Sequence, residues 1–398
     1  MNILMVLDKE FPTDLRVENE ATSLIRDGHM VGLLSIADNP KEEIADVKGI
    51  KVYRKKITRF KRDKMHGLAG MIPWMDYFVA QQVNKILDSE QYDVIHFHDL
   101  YLFGAARLIR KKHDVFFVGD MHENYVEVIK DYKWATKFPN RLIVSKAKWE
   151  RKEREWLADM DRLVTVSEGI QQRIISKGVS EENVILVPNT IHTRLFDEFE
   201  TDPEITDKFK DYFSLVYVGG FVGNRGLEHV IEGMKALKKE APDIRLILVG
   251  DGDMRRQLET LAKQHDVENR VFFEGWQSQE AIKSYLEAAD VGLVPFKRTP
   301  QTDNSSSNKL FQYMYFELPV LATNCISVEK LVKKENAGLI YESENTQQFV
   351  ENAMKLYENR ELARSLGKNG KRAVDETYCW DITIQPMLDM YKDLSEIT

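Results

Sequence analysis

Short apolar runs alternate with helical patterns along the first half of the chain. The runs are rich in β-branched residues and cover residues 2–8, 29–36, 93–99, 115–123, 162–168 and 184–189. Strands that are apolar throughout and separated by helices are typical of a parallel sheet covered on both faces. Residues 17–28 predict one covering helix, because their apolar positions recur at helical spacing and Gly28 is a typical helix-ending residue.

The same pattern starts again in the second half of the chain. Its predicted strands cover residues 213–220, 244–253, 270–276, 290–296, 318–324 and 337–342. The acidic stretch 196–208 has few core-forming residues and predicts a linker, so we place the domain boundary near residue 200. The sequence therefore predicts two α/β domains, 1–200 and 201–377, followed by an aromatic, amphipathic segment at about 378–398.

Composition agrees with two globular domains and excludes several classes of protein. The chain has 398 residues, of which 43% are hydrophobic and 30% are charged. The two cysteines, Cys325 and Cys379, have no metal-site or disulfide spacing, and no apolar run suits a spanning helix or a signal peptide. We therefore expect a cytoplasmic protein, and the net charge of −8 argues against nucleic acid as a partner.

Two basic clusters modify this picture. Residues 53–64 precede the apolar stretch 67–75, and a second basic stretch covers residues 145–155. Together they predict contact with an anionic membrane, which would place the protein at the inner face. The alternative is that both stretches are ordinary solvated surface.

A glycine-rich turn follows the first strand of the second domain. Gly219, Gly220 and Gly223 are followed by Arg225 and then by a helical pattern. A helix N-terminus attracts phosphate, and an arginine can add charge-assisted hydrogen bonds to a diphosphate. The glycine spacing matches neither G-x-G-x-x-G nor the P-loop, so a tight turn without a ligand is the alternative.

A second helix N-terminus suited to binding an anion is predicted near residue 309. Residues 305–308 form a polar run that includes Ser307 and Asn308, and Lys309 follows directly. Gln312, about one turn further on, has an amide that suits ribose hydroxyls. Plain helix capping with a solvated lysine is the alternative.

Polar side chains also gather at strand ends in the first domain. Two strands end in the residues His96, His98, Asp99, Asp120, His122 and Glu123. They resemble a metal cluster, but they lie on two strands without a ligand-spacing motif, so we expect no metal there. His122 and Glu123 better suit hydrogen bonds to a sugar.

The loop after the first strand adds Asp14 and Arg16. Their position at a strand-to-helix loop suits contact with an acceptor substrate, as do His98 and Asp99. The alternative is that Asp14 caps the helix and Arg16 forms a surface ion pair.

In its order of motifs, nearly the whole chain resembles the bacterial family 4 glycosyltransferases, which are retaining enzymes of the GT-B fold. The elements that carry the resemblance are DLRVENEATSLIRDGHMV, DVIHFHDLY, DMHE, VTVSEGI, VPN, VGGFVGNRGLEHVIEG, LVGDGD, AADVGLVPF and NKLFQYMYFELPVLATN. The resemblance implies two Rossmann-like domains that face each other across a cleft. It also implies a C-terminal helix that crosses back to the first domain.

The resemblance further implies a function and site residues. It implies transfer of a sugar from a nucleoside-diphosphate sugar, bound mainly by the second domain, to a glycan or lipid-linked acceptor, in surface polysaccharide or glycoconjugate synthesis. Arg225 matches the basic residue that meets the donor diphosphate, His122 matches a histidine near the transferred sugar, and Asn189 matches the asparagine at the hinge. We therefore predict His122, Arg225 and Lys309 as catalytic residues, with no metal and no other cofactor.

Two departures from the family pattern leave alternatives open. Gly220 stands where the family commonly has arginine, and Asn304 and Gln312 stand where it has paired glutamates. Lys309 can replace the missing charge, but a catalytically silent binding or scaffold subunit remains an alternative, as does a sugar-nucleotide 2-epimerase. NAD-dependent oxidoreduction lacks its glycine fingerprint.

Overall fold

A computed structural model describes residues 1–38, 40, 42–69, 71–128, 146–304 and 307–397. The chain forms two compact units, one of residues 1–188 with 384–398 and the other of residues 189–383. The second basic stretch and the serines at 305 and 306 lie partly or wholly outside the described residues.

The first unit is built on an eight-stranded sheet. Its strands are β1 (Asn2–Leu7), β2 (Met30–Ala37), β3 (Ile44–Val47), β4 (Ile50–Lys56), β5 (Val94–His98), β6 (Phe116–Met121), β7 (Arg162–Thr165) and β8 (Val184–Leu186). The order is β3-β4-β2-β1-β5-β6-β7-β8, and every pair is parallel except β3 with β4.

The hairpin β3–β4 was missed in the sequence, where residues 53–64 read only as a basic cluster. Lys48 and Gly49 connect the two strands with φ angles of 56° and 80°. Two consecutive positive φ angles suit a tight hairpin turn, and glycine accepts this geometry at no steric cost. The alternation of buried Ile50 and Val52 with exposed Lys51 was the available signal.

Helices cover both sides of this sheet. They span Leu15–Arg26, Arg59–Leu68, Trp74–Leu87, Ala106–Ile109, Tyr125–Val128, Lys146–Leu157 and Glu168–Ile175, with 3-10 turns at Leu100–Ala105 and Glu181–Asn183. The last helix, Gln385–Ile397, also belongs to this unit. It buries Met387, Met390, Tyr391 and Leu394. The Tyr391 hydroxyl forms a hydrogen bond with His96 Nδ1 at 2.8 Å.

The second unit has a six-stranded parallel sheet. Its strands are β9 (Phe213–Val218), β10 (Ile244–Val249), β11 (Val271–Gly275), β12 (Val291–Val294), β13 (Val320–Thr323) and β14 (Gly338–Tyr341). Their order is β11-β10-β9-β12-β13-β14. The chain moves outward from β9 on one side and continues from β12 on the other, so the strand order reverses between β9 and β12. In such sheets ligands bind at this switch point, outside the carboxyl ends of the strands.

The helices of the second unit correct the linker prediction. They span Thr193–Glu198, Pro203–Phe209, Leu227–Glu240, Arg255–Gln264, Gln279–Glu287, Pro300–Asp303, Asn308–Tyr315, Ile326–Glu335, Thr346–Glu358, Arg360–Ala373 and Trp380–Thr383. A 3-10 turn at Gly223–Arg225 and a π turn at Val374–Tyr378 complete the unit. The first two helices occupy the acidic stretch because Phe196 and Phe209 bury their rings in this unit's core.

Both units are therefore Rossmann-like α/β domains. Among the described residues, no helix combines the length and apolar character needed to cross a membrane.

Candidate active site

The glycine-rich turn of the second unit leaves β9 at the switch point and is fixed by two tyrosines. The Tyr217 hydroxyl donates to the Gly220 carbonyl at 3.0 Å, and the Val218 amide donates to the Tyr313 hydroxyl at 2.9 Å. Gly219 has a φ of 136°, in the region that favours glycine. Side chains of the same unit thus hold the turn in place.

A second loop packs against this turn through backbone alone. A Cβ built on Gly250, which follows β10, would lie 2.0 Å from the Gly219 carbonyl oxygen. No side chain fits there, so the two loops can approach only with glycine at this position. In contrast, Gly223 has no positive φ and a Cβ there would meet nothing within 4 Å, so the fold itself does not require glycine at 223.

Two cations, Lys309 and Arg225, lie beside the turn. The Lys309 Nζ lies 3.2 Å from the position of a Cβ on Gly219, 5.1 Å from the Tyr217 ring centroid and 4.9 Å from that of Phe296. The Arg225 guanidinium lies 4.6 Å from the same Phe296 ring. Neither cation makes an ion pair with a described carboxylate.

The charge of Lys309 is balanced between opposing effects. Burial and the neighbouring Arg225 guanidinium lower the pKa of Lys309 to about 7, whereas the two aromatic rings favour its cationic form. A phosphate group here would satisfy both cations, since charge-assisted hydrogen bonds to oxyanions are strong. This arrangement suits a diphosphate.

The predicted helix start lies next to these cations. The helix begins at Asn308, which is exposed, but Ser307 makes no side-chain cap hydrogen bond. Its Oγ is buried and has no hydrogen-bond partner among the described residues. Gln312 is buried on the same helix, and no hydrogen bond of its amide is found in the described part of the chain. The site therefore holds unsatisfied polar groups of the kind that bind a ligand.

Trp276 was not singled out in the sequence. It follows Gly275 at the end of β11, is 68% exposed, and its Cη2 would lie 3.9 Å from a Cβ on Gly220. An exposed tryptophan beside a glycine turn offers an uncovered aromatic face. A single aromatic residue directly after a strand was the only signal in the sequence.

In the first unit, His122 directly follows β6 and faces Asp120. The His122 Nε2 lies 2.9 Å from Asp120 Oδ2 and 3.3 Å from His98 Nδ1. Although burial opposes it, the charge of Asp120 raises the pKa of His122 to about 9. His122 is therefore mainly a cation at neutral pH.

Arg16 lies deeper in the same unit than the sequence suggested. Its guanidinium bonds both oxygens of Asp120, at 3.1 and 3.2 Å, and lies 2.9 Å from Glu20 Oε1. It also donates to the Val187 carbonyl at 2.8 Å. Because Arg16 is buried, the alternative of a surface ion pair is wrong. His98 is likewise buried, so both residues reach a substrate only through neighbours.

The strand-end residues lie close together, although they come from different strands and share no ligand-spacing motif. Strands β5 and β6 are neighbours with His98 opposite Asp120, which brings the two side chains to 3.5 Å. Donor atoms of Glu20, His96, His98 and Asp120 lie within 4.8 Å of one another, a spacing that could hold a metal ion. The Arg16 guanidinium, however, already engages both carboxylates.

Of the remaining predicted residues, Asp14 and Asp99 lie near His122. Asp14 accepts a hydrogen bond from the Val17 amide as the helix cap, and it pairs with Lys9 at 3.3 Å. Asp99, with a φ of 78°, has an oxygen 3.9 Å from His122 Nδ1. Glu123 is partly buried. Asn189 is the first residue of the second unit.

Comparison with known proteins identifies the class and the family. Residues 198–373 match the family model described as glycosyl transferases group 1, and residues 15–195 match that of glycosyltransferase family 4. An uncharacterized glycosyltransferase of Methanocaldococcus jannaschii is 23% identical over 95% of this chain and 93% of its own length. The capsular polysaccharide biosynthesis glycosyltransferase CapM of Staphylococcus aureus is 22% identical over 58% of this chain and 60% of its own length.

Two solved structures share the fold. Sucrose-phosphate synthase from Thermosynechococcus elongatus matches over 100% of both chains with a TM-score of 0.78 and 19% identity. Anabaena HepE in complex with UDP matches over 99% of this chain and 100% of its own with a TM-score of 0.70 and 16% identity. The fold is that of the GT-B glycosyltransferases. The chain belongs to glycosyltransferase family 4 and is a transferase, which confirms the predicted class and family.

Proposed function

We propose that this enzyme transfers a sugar from a nucleoside-diphosphate sugar to a glycan or lipid-linked acceptor with retention at the anomeric carbon. The observation that carries the proposal is the pair of cations, Arg225 and Lys309, on the Phe296 ring, neither of which pairs with a carboxylate of the described residues. The proposal draws further support from the UDP complex of HepE and from family membership.

The chemistry assigned to the second unit is stabilisation of the leaving nucleoside diphosphate. Arg225 and Lys309 would neutralise the charge that develops on the diphosphate as the sugar departs. Electrostatic stabilisation of the transition state is large when such cations are preorganised. We propose that a donor phosphate oxygen takes the acceptor proton, so that Gln312 need not act as a base. Since side-chain cations supply the charge, we expect no metal requirement.

The nucleoside part of the donor has an assigned place as well. We place the base on the Trp276 ring and the ribose near Gln312 and Asn308, because stacking on aromatic faces contributes about 1–3 kcal/mol per base. The Trp276 indole lies beside the bare backbone of Gly220, and the Lys309 ammonium lies beside that of Gly219. Asp14, Asp99 and Glu123 are proposed to contact the acceptor directly.

A nucleotide-binding measurement tests this function. Thermal shift and calorimetry with UDP, GDP and ADP, without metal, should show binding of one of them, since a ligand of the folded state raises apparent stability. Arg225→Ala should abolish the shift. The matched control is Arg245→Ala, because that guanidinium also lies over a ring, Tyr212, at 4.0 Å, but away from the turn. Absence of binding for all three nucleotides would overturn the proposal and favour a silent subunit.

For the acceptor, we propose only its class. CapM is named for capsular polysaccharide biosynthesis, and we propose a surface polysaccharide or glycoconjugate pathway for this enzyme by that likeness. Incubation with the donor should give a product only when an acceptor glycan is added. Conversion of the donor alone into a second sugar nucleotide would instead show an epimerase.

We also propose contact with an anionic membrane through the first unit, at the cytoplasmic face. The side chains of Phe60, Trp74 and Tyr77 are 68%, 53% and 61% exposed, beside exposed Lys56 and Lys64. Aromatic rings with nearby cations suit a membrane interface. Sedimentation with phosphatidylglycerol vesicles should exceed that with phosphatidylcholine, and Trp74→Ala should weaken it. Equal binding to both vesicles would contradict the electrostatic part.

A further inference from the structure

A cavity of about 150 Å³ among the helices of the first unit is lined by a buried carboxyl group, that of Asp76. Three segments enclose it: the helix Trp74–Leu87, the turn and short helix at residues 100–109, and the helix Lys146–Leu157 with the residues that follow it. The described residues that line it include none of those assigned above to the donor or the acceptor. The cavity is therefore a separate candidate site.

The Asp76 carboxyl group lacks a hydrogen-bond donor. Asp76 is only 9% exposed, and its Oδ1 has no hydrogen-bond partner among the described residues. A Cβ on Gly104 would lie 2.3 Å from this oxygen, so the carboxyl group fits only because residue 104 is glycine. The first turn of a helix favours a negative charge, but a buried oxygen without a donor still costs stability. A ligand with an N–H group would supply the missing donor.

The cations that line the cavity already have carboxylate partners. Arg107 Nη2 lies 3.0 Å from an oxygen of Asp159, and Lys152 Nζ lies 2.7 Å from an oxygen of Glu155. Asp76 forms no such pair with a described residue. When Asp76 is ionised, the cavity therefore has one negative charge in excess, which a monovalent cation would balance.

The walls of the cavity favour an organic cation over a metal ion. Hard metal ions need several oxygen ligands, and the other carboxylates here are held by Arg107 and Lys152. Tyr77 and Trp156 contribute aromatic side chains, whose ring faces attract ammonium groups. Tyr77 is also one of the exposed aromatic residues that we propose to contact a membrane, so the cavity opens beside that surface.

We propose that this cavity binds a primary ammonium group, which donates a hydrogen bond to the Asp76 carboxylate, and that the ethanolamine head group of a membrane lipid supplies it. A primary ammonium group has three N–H donors, as the lysine side chain does. Choline carries the same charge but has no N–H group. The site should therefore distinguish the two head groups although their charges are equal.

The charges around Asp76 give this binding a pH dependence. Burial raises the pKa of Asp76 to about 6, although the positive charges of Lys152 and Arg107 lower it. The ligand binds the ionised carboxylate, so its affinity should fall about tenfold for each pH unit below 6 and stay level between pH 7 and 8. The charged or titratable groups that face Asp76 across the cavity are Tyr77, Arg107, Lys152, Glu155 and Asp159.

Soluble amines test the ammonium site on the full-length enzyme. Thermal shift and calorimetry at pH 7.5 should show binding of ethanolamine, with choline and sodium chloride at the same ionic strength at least about tenfold weaker, as expected when one hydrogen bond to a charged group is lost. Asp76→Asn keeps the shape of the side chain and should abolish this binding. Its melting temperature at pH 7.5 should be unchanged or higher, because a buried carboxylate without a donor is removed. A purely structural role of Asp76 would lower it.

The matched control lies at the other end of the same helix. Asp88 follows Leu87 and its side chain is 66% exposed, so Asp88→Asn removes the same charge outside the cavity and should bind ethanolamine like the wild type. Equal binding of ethanolamine and choline, or ethanolamine binding that persists in Asp76→Asn, would overturn the proposed site. If Asp76→Asn does not fold, the comparison with choline and the pH dependence of the wild type decide.

Vesicles test the source of the ammonium group. Phosphatidylethanolamine and phosphatidylcholine both carry no net charge, so a preference between them reports the head group alone. The wild type should sediment more with mixed vesicles of the two lipids than with phosphatidylcholine, and Asp76→Asn should lose this preference while keeping that for phosphatidylglycerol. Binding of free ethanolamine without a preference among vesicles would overturn the lipid source and identify a soluble amine instead. No readout uses a nucleotide, so failure of the proposed transferase function would be seen separately.

Discussion

Donor binding should be accompanied by proton uptake at Lys309. In the free enzyme the pKa of Lys309 is about 7, because burial and Arg225 disfavour its charge. A bound diphosphate strongly favours the charged form and raises this pKa. Binding should therefore take up about 0.5 proton at pH 7 and about 0.9 at pH 8. Nucleotide affinity should fall about tenfold for each pH unit above 7, since one pKa unit corresponds to about 1.4 kcal/mol.

Calorimetry in buffers of different ionisation enthalpy measures this uptake directly. At pH 8 the terminal phosphate of the nucleotide is already ionised, because such groups have a second pKa of about 6. Uptake at pH 8 therefore reports the protein. Lys309→Met should abolish it and weaken binding at pH 6 by about 2–5 kcal/mol, as expected for loss of one partner of a buried charge pair.

The matched control is Lys238→Met in the same unit. The Lys238 ammonium is bound to the Asp266 carbonyl at 2.7 Å and lies on the surface, so its removal should leave proton uptake and affinity unchanged. Uptake at pH 8 that persists in Lys309→Met would refute the reasoning, because another group would then be titrating.

Three further perturbations follow from the geometry. Asp120 raises the pKa of His122 from 6.5 to about 9, so His122 should stabilise the folded state by about 3 kcal/mol below pH 6.5 compared with pH above 9. The urea midpoint of the first unit should therefore fall as the pH rises through this interval. In His122→Gln it should not. Gly250→Ala should lower the melting temperature and abolish nucleotide binding, because its Cβ would lie 2.0 Å from the Gly219 carbonyl; wild-type binding in the variant would contradict this contact. Tyr313→Phe leaves the Val218 amide unbonded and should cost about 1–3 kcal/mol by thermal denaturation, whereas an unchanged midpoint would show that water replaces the hydroxyl.

Much of the fold was accessible from the pattern of apolar residues. Each of the twelve runs read as strands coincides with an observed strand to within a residue or a few at its ends, from β1 at Asn2–Leu7 to β14 at Gly338–Tyr341. Buried parallel strands are apolar on both faces, so their runs are unmistakable. The hairpin β3–β4 was missed because an edge strand with one solvated face carries lysines and arginines.

The linker and the cap were misread for the opposite reason. Acidic residues dominate 196–208, but Phe196 within the stretch and Phe209 directly after it are buried in the core, which holds the segment as helices. Ser307 has the residue type of a cap, yet its hydroxyl does not bond the helix. Local composition predicts what a segment can do, and packing determines which option is used.

The sequence by itself determined the parallel strands of the two sheets, the glycine turn with Arg225 and the helix that begins beside Lys309, because each of these elements depends on residues close together in the chain. Only the tertiary structure brought Lys309 to Gly219 and Trp276 to Gly220, and placed Arg16 on Asp120, 104 positions away. Strand order decides which carboxyl ends are neighbours, and burial decides which charges persist there. Neither property is contained in the spacing of residues along the chain, so the partners of His122 could not be predicted from it.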